Sequence, residues 1–261
     1  MSGGTLTVTI LGSGTSTGVP VPGCSCAVCT SDDPQNVRTR CSVLLSRGGK
    51  NILIDTATDL RQQVLREKIA HIDAVFFTHT HADHIHGIDD LRAFNVVSGQ
   101  AIPIFGSAAT LEVIRRNFGY IFDSELEPGY RPRLEIRQID GPFELFGMSI
   151  VPLPLQHGRG TSLGYRIGSF AYLVDCSAIP EVSLSRLQNI EILVIDALRF
   201  RPHTSHFNID QALEVASHLG VRQTFLTHLS HDVDHASHAA QLPPGVAFAY
   251  DGQRIEVALP C

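Results

Sequence analysis

The chain of 261 residues has no tryptophan, only two methionines, and no apolar run near the roughly 18 to 20 residues that cross a bilayer. That composition predicts a soluble chain with no membrane partner. Met1 to Thr9 lacks both the basic start and the apolar stretch of a secretory leader, so a cytoplasmic location is expected. Positive charge is also scarce: 20 lysines and arginines stand against 26 acids, a formal net charge of −6, and they are scattered rather than banded. This excludes the basic stripe by which a protein grips a polyanion, and nucleic acid is not an expected partner. Six cysteines are too few and too unevenly placed for a secreted disulfide scaffold. With 43% apolar residues the chain is expected to form one globular unit over residues 1–261, large enough to bury a core without staples.

What the sequence does have is histidine, thirteen in all and mostly in short clusters, and three cysteines, Cys24, Cys26 and Cys29, within six residues. Runs rich in β-branched residues predict strands at Thr5–Leu11, Ser42–Leu45, Asn51–Ile54, Ala74–Phe77, Met148–Leu155, Leu163–Ile167, Phe170–Val174, Ile192–Ile195 and Gln223–Leu226. Helical spacing occurs at Asp59–Lys68, Ile88–Val97, Ala108–Phe118, Ile179–Gln188 and Ile209–Leu219. A strand-rich first third followed by alternating strand and helix predicts an α/β fold of two mixed β-sheets flanked by helices. The polar, turn-rich stretch Tyr120–Pro132 reads as a surface excursion, and no repeat or low-complexity tract is evident.

The strongest signal is His79-Thr80-His81-Ala82-Asp83-His84, directly after an apolar strand. His79 and His81 lie two apart in extended chain and project to one side, so one cation can take both; Asp83 and His84 follow on the next turn and face a neighbouring position. Further ligands stand at predicted strand ends: His157, Asp175 and His228. The expected arrangement is His79, His81 and His157 on one metal, Asp83, His84 and His228 on a second, and Asp175 bridging them. Gly12 to Gly18 spells GxGxxxG with no Lys-Ser/Thr after it, so both nucleotide-binding motifs fail, and the run is expected to be a turn that lets backbone approach the metals.

These residues resemble the metallo-β-lactamase superfamily, whose HxHxDH motif stands intact at 79–84, and the Gly12–Gly18 turn and the strand end Leu53-Ile-Asp55 are similar as well. The resemblance implies an αββα sandwich with a dinuclear site along one edge. His81 in place of an acid implies a hydrolase rather than the diiron redox branch. In a reducing compartment Cys24, Cys26 and Cys29, on a Pro- and Gly-flanked loop at about 20–31, favour a structural zinc, with His231 as fourth ligand. That loop resembles the PhnP-like proteins, which hydrolyse phosphoribosyl 1,2-cyclic phosphate, and a related loop occurs in PqqB-like proteins of quinone-cofactor synthesis.

The expected function is therefore metal-dependent hydrolysis of a small cyclic phosphate by a metal-bridging hydroxide, with two active-site ions, zinc or manganese, and one structural zinc. The alternatives are a transfer-RNA 3′ processing nuclease or another hydrolase of the same fold, and a non-hydrolytic PqqB-like accessory protein. By resemblance His206 is the general acid or phosphate contact; Asp83, whose loss should abolish turnover, is the other catalytic candidate. Asp55 is expected to orient a ligand histidine. Asp59 with Arg61, Arg199 with Arg201, and His86, His235 and His238 read as surface groups, although the two later arginines are also placed to take a second substrate phosphate. His203 is a weaker candidate than His206 for general acid or phosphate contact. Cys41, Cys176 and Cys261 read as structural, and Cys176 departs from the Asp-Thr expected beside Asp175. The expected partner is a small phosphorylated substrate, and the resemblance suggests a homodimer.

Overall fold

The computed structural model describes residues 4–123 and 129–259. Its strands are β1 (Thr5–Gly12), β2 (Ser42–Arg47), β3 (Lys50–Ile54), β4 (Ala74–Phe76), β5 (Ile102–Gly106), β6 (Leu134–Gln138) and β7 (Phe143–Leu145). They continue with β8 (Met148–His157), β9 (Gly160–Ile167), β10 (Phe170–Leu173), β11 (Ile192–Asp196), β12 (Gln223–Thr227), β13 (Val246–Phe248) and β14 (Arg254–Ala258). One sheet runs β14-β1-β2-β3-β4-β5-β6 and the other β13-β12-β11-β10-β9-β8-β7.

The inward residues of β1, Leu6, Val8 and Ile10, meet Tyr165, Ile167, Phe170 and Tyr172 from the opposite sheet in the central core. The central strands are buried on both faces, as the unbroken apolar runs of β4 and β11 require. Helices at Leu60–Glu67, Arg92–Ser98 and Ala108–Asn117 cover the outer face of the first sheet over Leu53, Val75 and Ile104. The helix Ile209–Leu219 covers the second over Leu193 and Ile195. The layering is αββα, a metallo-β-lactamase fold.

Although the sequence shows no repeat, the two sheets repeat one another. Each has an antiparallel half joined to a parallel half, through β3–β4 in one and β10–β11 in the other. At the equivalent strand ends stand Asp55, with φ 62°, and Asp175, with φ 53°. Ser42 Oγ donates to the Asp55 carbonyl at 2.9 Å and Ser162 Oγ to the Asp175 carbonyl at 2.8 Å. A left-handed backbone costs on the order of 1 kcal/mol at a non-glycine residue, and here it turns each carboxylate toward the same sheet edge.

Some boundaries differ from expectation for local reasons. Ile88–Val97 begins as a 3-10 turn, Ile88–Leu91, and becomes α-helical only over Arg92–Ser98. Ile179–Gln188 contracts to Glu181–Leu184 and the 3-10 turn Ser185–Leu187, since Pro180, itself extended as the N-cap, disfavours helix at the residue before it. Of the stretch Tyr120–Pro132, residues 124–128 lie outside the described residues, as does Cys261. No helix among the described residues is long and apolar enough to cross a membrane.

Candidate metal centre

The chain leaves β4 through Phe77 and Thr78 into the histidine cluster. His81 keeps an extended backbone (φ −65°, ψ 150°) and serves as N-cap of the single helical turn Ala82–Ile85, which carries Asp83 and His84 inward. His157 closes β8, Asp175 follows β10, and His228 follows β12 with φ 60°. Remote stretches thus deliver their side chains to one sheet edge.

There the ligand atoms of His79, His81, His157 and Asp175 lie within 4.8 Å of one another, as do those of Asp83, His84 and His228. Asp175 faces both groups. Its Oδ1 stands 3.8 Å from His79 Nε2 and 3.5 Å from His157 Nε2, while its Oδ2 stands 3.0 Å from His84 Nε2 and 3.5 Å from His228 Nε2. His81 Nδ1 is 3.3 Å from His157 Nε2, and Asp83 Oδ2 is 3.3 Å from His84 Nε2.

The ring orientations are fixed from behind. His84 Nδ1–H donates to Asp55 Oδ2 at 2.7 Å, and Thr78 Oγ1 donates to the same oxygen at 2.7 Å while accepting from His79 Nδ1–H at 3.0 Å. One buried carboxylate thereby sets the tautomer of two imidazoles and leaves both Nε2 lone pairs facing the cluster. His157 Nδ1–H donates to the Ser205 carbonyl at 2.7 Å, with the same result. Such partners typically govern metal affinity as ligands do.

Several of the converging atoms are buried with no hydrogen-bond partner among the described residues: His79 Nε2, His84 Nε2, His228 Nε2 and Asp175 Oδ2. An unpaired buried polar atom costs about 1 to 3 kcal/mol, so a cluster of them on one edge fits a cation site rather than a structural network. Burial holds His79 and His157 below the ordinary histidine pKa, which keeps them neutral and able to donate lone pairs. Burial also works against ionising Asp83 and Asp175, yet the neighbouring imidazoles, His84 for the first and His228 and His84 for the second, hold both carboxyls well below the usual range. His84 runs the other way: burial opposes its charge, but Asp175 and Asp55 raise its pKa, so it would give up a proton to a cation, whereas neutral His79 and His157 and the ionised carboxylates fit one as they stand.

Beside this edge, Asp196 Oδ2 accepts from His206 Nδ1–H at 2.7 Å and from the Cys176 amide at 2.8 Å. Burial alone would lower the His206 pKa, but the hydrogen bond and charge of Asp196 outweigh it and raise the group above the ordinary value. The His206 ring stacks on His228 at 4.6 Å. Asp196 is absent from the sequence reading, although the strand-end rule that picked out Asp175 applies equally to the last residue of Ile192–Asp196.

A second cluster gathers Cys24, Cys26, Cys29 and His231. Their sulfurs stand 3.3, 3.6 and 3.5 Å from His231 Nδ1. The Cys29 amide donates to Cys26 Sγ at 3.5 Å, and this backbone contact first among several pulls the Cys26 thiol down to about 6. Arg38, only 1% exposed, braces this corner by donating to the carbonyls of Ser230 and Val233 at 2.9 and 2.7 Å.

The remaining residues fall as follows. Asp59 pairs with Arg40 at 3.0 Å, not with Arg61, because the same carboxylate also caps the Arg40 amide. Arg201 and Arg199 both turn to Asp232, at 3.0 and 4.0 Å. His86 is exposed, and His238 packs on Phe200. His235, read as a surface group, is buried between Phe248 and Tyr250, because its amide donates to Asn36 Oδ1 and draws the residue inward. Cys41 and Cys176 are buried thiols. In the early turn, a Cβ on Gly12 would meet the Arg40 carbonyl at 2.0 Å, and the Thr15 amide donates to the Leu229 carbonyl, next to His228.

A cavity of about 720 Å³ opens over His79, His81 and His157, lined otherwise by Thr80, Gly158, Arg159, Gly160, Thr161, Thr204 and Ser205. No hydrocarbon side chain and no carboxylate is among these lining residues.

The sequence model of the β-lactamase superfamily domain matches residues 50–229. A solved structure described as a new diphosphatase from the PhnP family is 42% identical, with a TM-score of 0.92 and 98% of each chain covered. An octanoyltransferase of Porphyromonas gingivalis is 40% identical over 248 residues, which cover 93% of this chain and 50% of that protein, so the chain spans about half of that relative's length. A coenzyme PQQ synthesis protein B of Methylobacterium radiotolerans is 29% identical over 223 residues, 72% of each chain.

Proposed function

Because the chain belongs to the metallo-β-lactamase superfamily and, within it, to the PhnP family, we propose that it is a metal-dependent phosphoesterase that hydrolyses a small cyclic phosphate of the phosphoribosyl 1,2-cyclic phosphate kind. The observation that carries this reading is Asp175, which offers one oxygen to each of two ligand groups, the first of which lines the cavity through His79, His81 and His157. His79, His81 and His157 with Asp175 Oδ1 would hold one divalent ion, and Asp83, His84 and His228 with Oδ2 the other. Zinc or manganese there supplies an activated water and neutralises the charge of a phosphate ester.

The chain's own groups do the rest. Asp55 and Thr78 hold His79 and His84 in register, and the Ser205 carbonyl does the same for His157. With Nδ1 bound to Asp196, His206 keeps Nε2 as the atom that holds a proton and gives it to the leaving oxygen. Cys24, Cys26, Cys29 and His231 would hold a structural zinc that ties the N-terminal loop to the segment after His228.

The diphosphatase of the PhnP family fits the same phosphoryl chemistry. The octanoyltransferase relative suggests acyl chemistry instead, but no hydrocarbon side chain lines the cavity to receive an eight-carbon chain. The test is a substrate panel on metal-supplemented protein: ribose 1,2-cyclic phosphate 5-phosphate, a nucleoside 2′,3′-cyclic phosphate, a dinucleoside diphosphate, an aryl phosphodiester, an octanoyl thioester and a lactam. Turnover of the cyclic phosphates is expected. Turnover of the carbonyl substrates alone would overturn the reading.

A further inference from the structure

Arg159 sits at the tip of the β8–β9 hairpin, two residues from His157 and on the lip of the cavity over the metal centre. It is exposed, and among the described residues no carboxylate pairs with it. The other two arginines of this neighbourhood, Arg199 and Arg201, are occupied by Asp232. Apart from the imidazoles, Arg159 is therefore the one cationic side chain among the described residues that line the cavity.

Its backbone is held, not loose. The Gly158 amide donates to Ser177 Oγ at 3.1 Å, and Gln156 Nε2 donates to the Gly158 carbonyl at 2.7 Å. Gly158 has φ 58°, and a Cβ there would come within 3.0 Å of Ser205 Cβ, so the hairpin tip and the loop bearing Ser205 can approach this closely only with glycine at 158. The Ser205 carbonyl in turn fixes His157. The hairpin thus fixes the backbone from which the Arg159 side chain extends at the cavity.

The cavity's size gives this cation something to bind. About 720 Å³ falls in the range of whole small-molecule sites, more room than one phosphate group fills. Its walls supply hydroxyls from Thr80, Thr161 and Ser205, with no acid to repel an anion. The geometry points to Arg159 as a specificity-determining residue: it binds a second anionic group, a phosphate monoester on a hydroxylated carbon skeleton, at the end of the substrate remote from the bond that breaks. This rests on the phosphoesterase reading and names the substrate class within it. A planar guanidinium matches two phosphate oxygens at once, a geometry that lysine does not reproduce.

The test compares wild type, R159Q and R159K on ribose 1,2-cyclic phosphate with and without its 5-phosphate, and titrates ribose 5-phosphate into the same metal-supplemented proteins by calorimetry. R159Q is expected to raise KM about tenfold for the 5-phosphorylated substrate with kcat little changed, to leave the other substrate unaffected, and to weaken ribose 5-phosphate by a similar factor; R159K recovers part of the loss. An equal effect on both substrates, or unchanged binding of ribose 5-phosphate while the cyclic phosphates are still cleaved, overturns the role of Arg159 alone. Binding of ribose 5-phosphate that depends on Arg159, in a protein that cleaves no phosphate ester, supports the anion site and overturns the phosphoesterase reading instead.

Discussion

Asp196 Oδ2 accepts the Nδ1 proton of His206 at 2.7 Å, from a carboxylate that is fully buried. The pair raises the His206 pKa, so the protonated imidazole persists to higher pH than a free one would. If His206 gives a proton to the leaving oxygen, activity falls as pH rises through that raised value. Asp196→Asn removes the charge and lowers the pKa, so the alkaline limb of kcat should move toward acid pH and kcat at neutral pH should fall about 10²-fold. A kcat–pH profile with the alkaline limb in place would show that His206 is not the acid.

Asp55 touches no expected ligand atom directly, yet it aligns His84 and, through Thr78, His79. Asp55→Asn should weaken metal retention by about 10 to 100-fold. Titration with a competing chelator measures it; unchanged affinity would leave Asp55 with a purely structural part.

Cys26→Ala should release one zinc per chain and lower the melting temperature by about 5 °C or more, since a structural zinc contributes folding energy directly. Metal analysis and calorimetry on one sample check both, and unchanged values for the two would remove the metal from this cluster.

Tyr172 is 1% exposed in the central core, and its hydroxyl has no hydrogen-bond partner among the described residues. Tyr172→Phe should be neutral or stabilise the protein by up to about 1 kcal/mol. Denaturant titration decides; a loss above about 1 kcal/mol would mean the hydroxyl is satisfied.

The metal-centre candidates were legible because their signals are local: a six-residue cluster, three cysteines in six residues, and polar residues closing apolar strands. Asp196 escaped because an acid at a strand end is unremarkable until His206, ten residues on, folds back to it. β5 escaped because Pro103 interrupts its pattern, and β6 because this sheet-edge strand is polar on alternate positions. The internal repeat of the two sheets was hidden because it is kept by topology and by Ser42–Asp55 and Ser162–Asp175, not by residue identity along the strands. His235 was misplaced because its burial depends on Asn36, far away in the chain.

The central claim is that Asp175 stands between two cations. Anomalous diffraction from crystals grown with zinc or manganese tests it directly: the account predicts one peak beside Asp175 Oδ1 among His79, His81 and His157, and another beside Oδ2 among Asp83, His84 and His228. A peak among the cysteines with nothing on either side of Asp175 would contradict it.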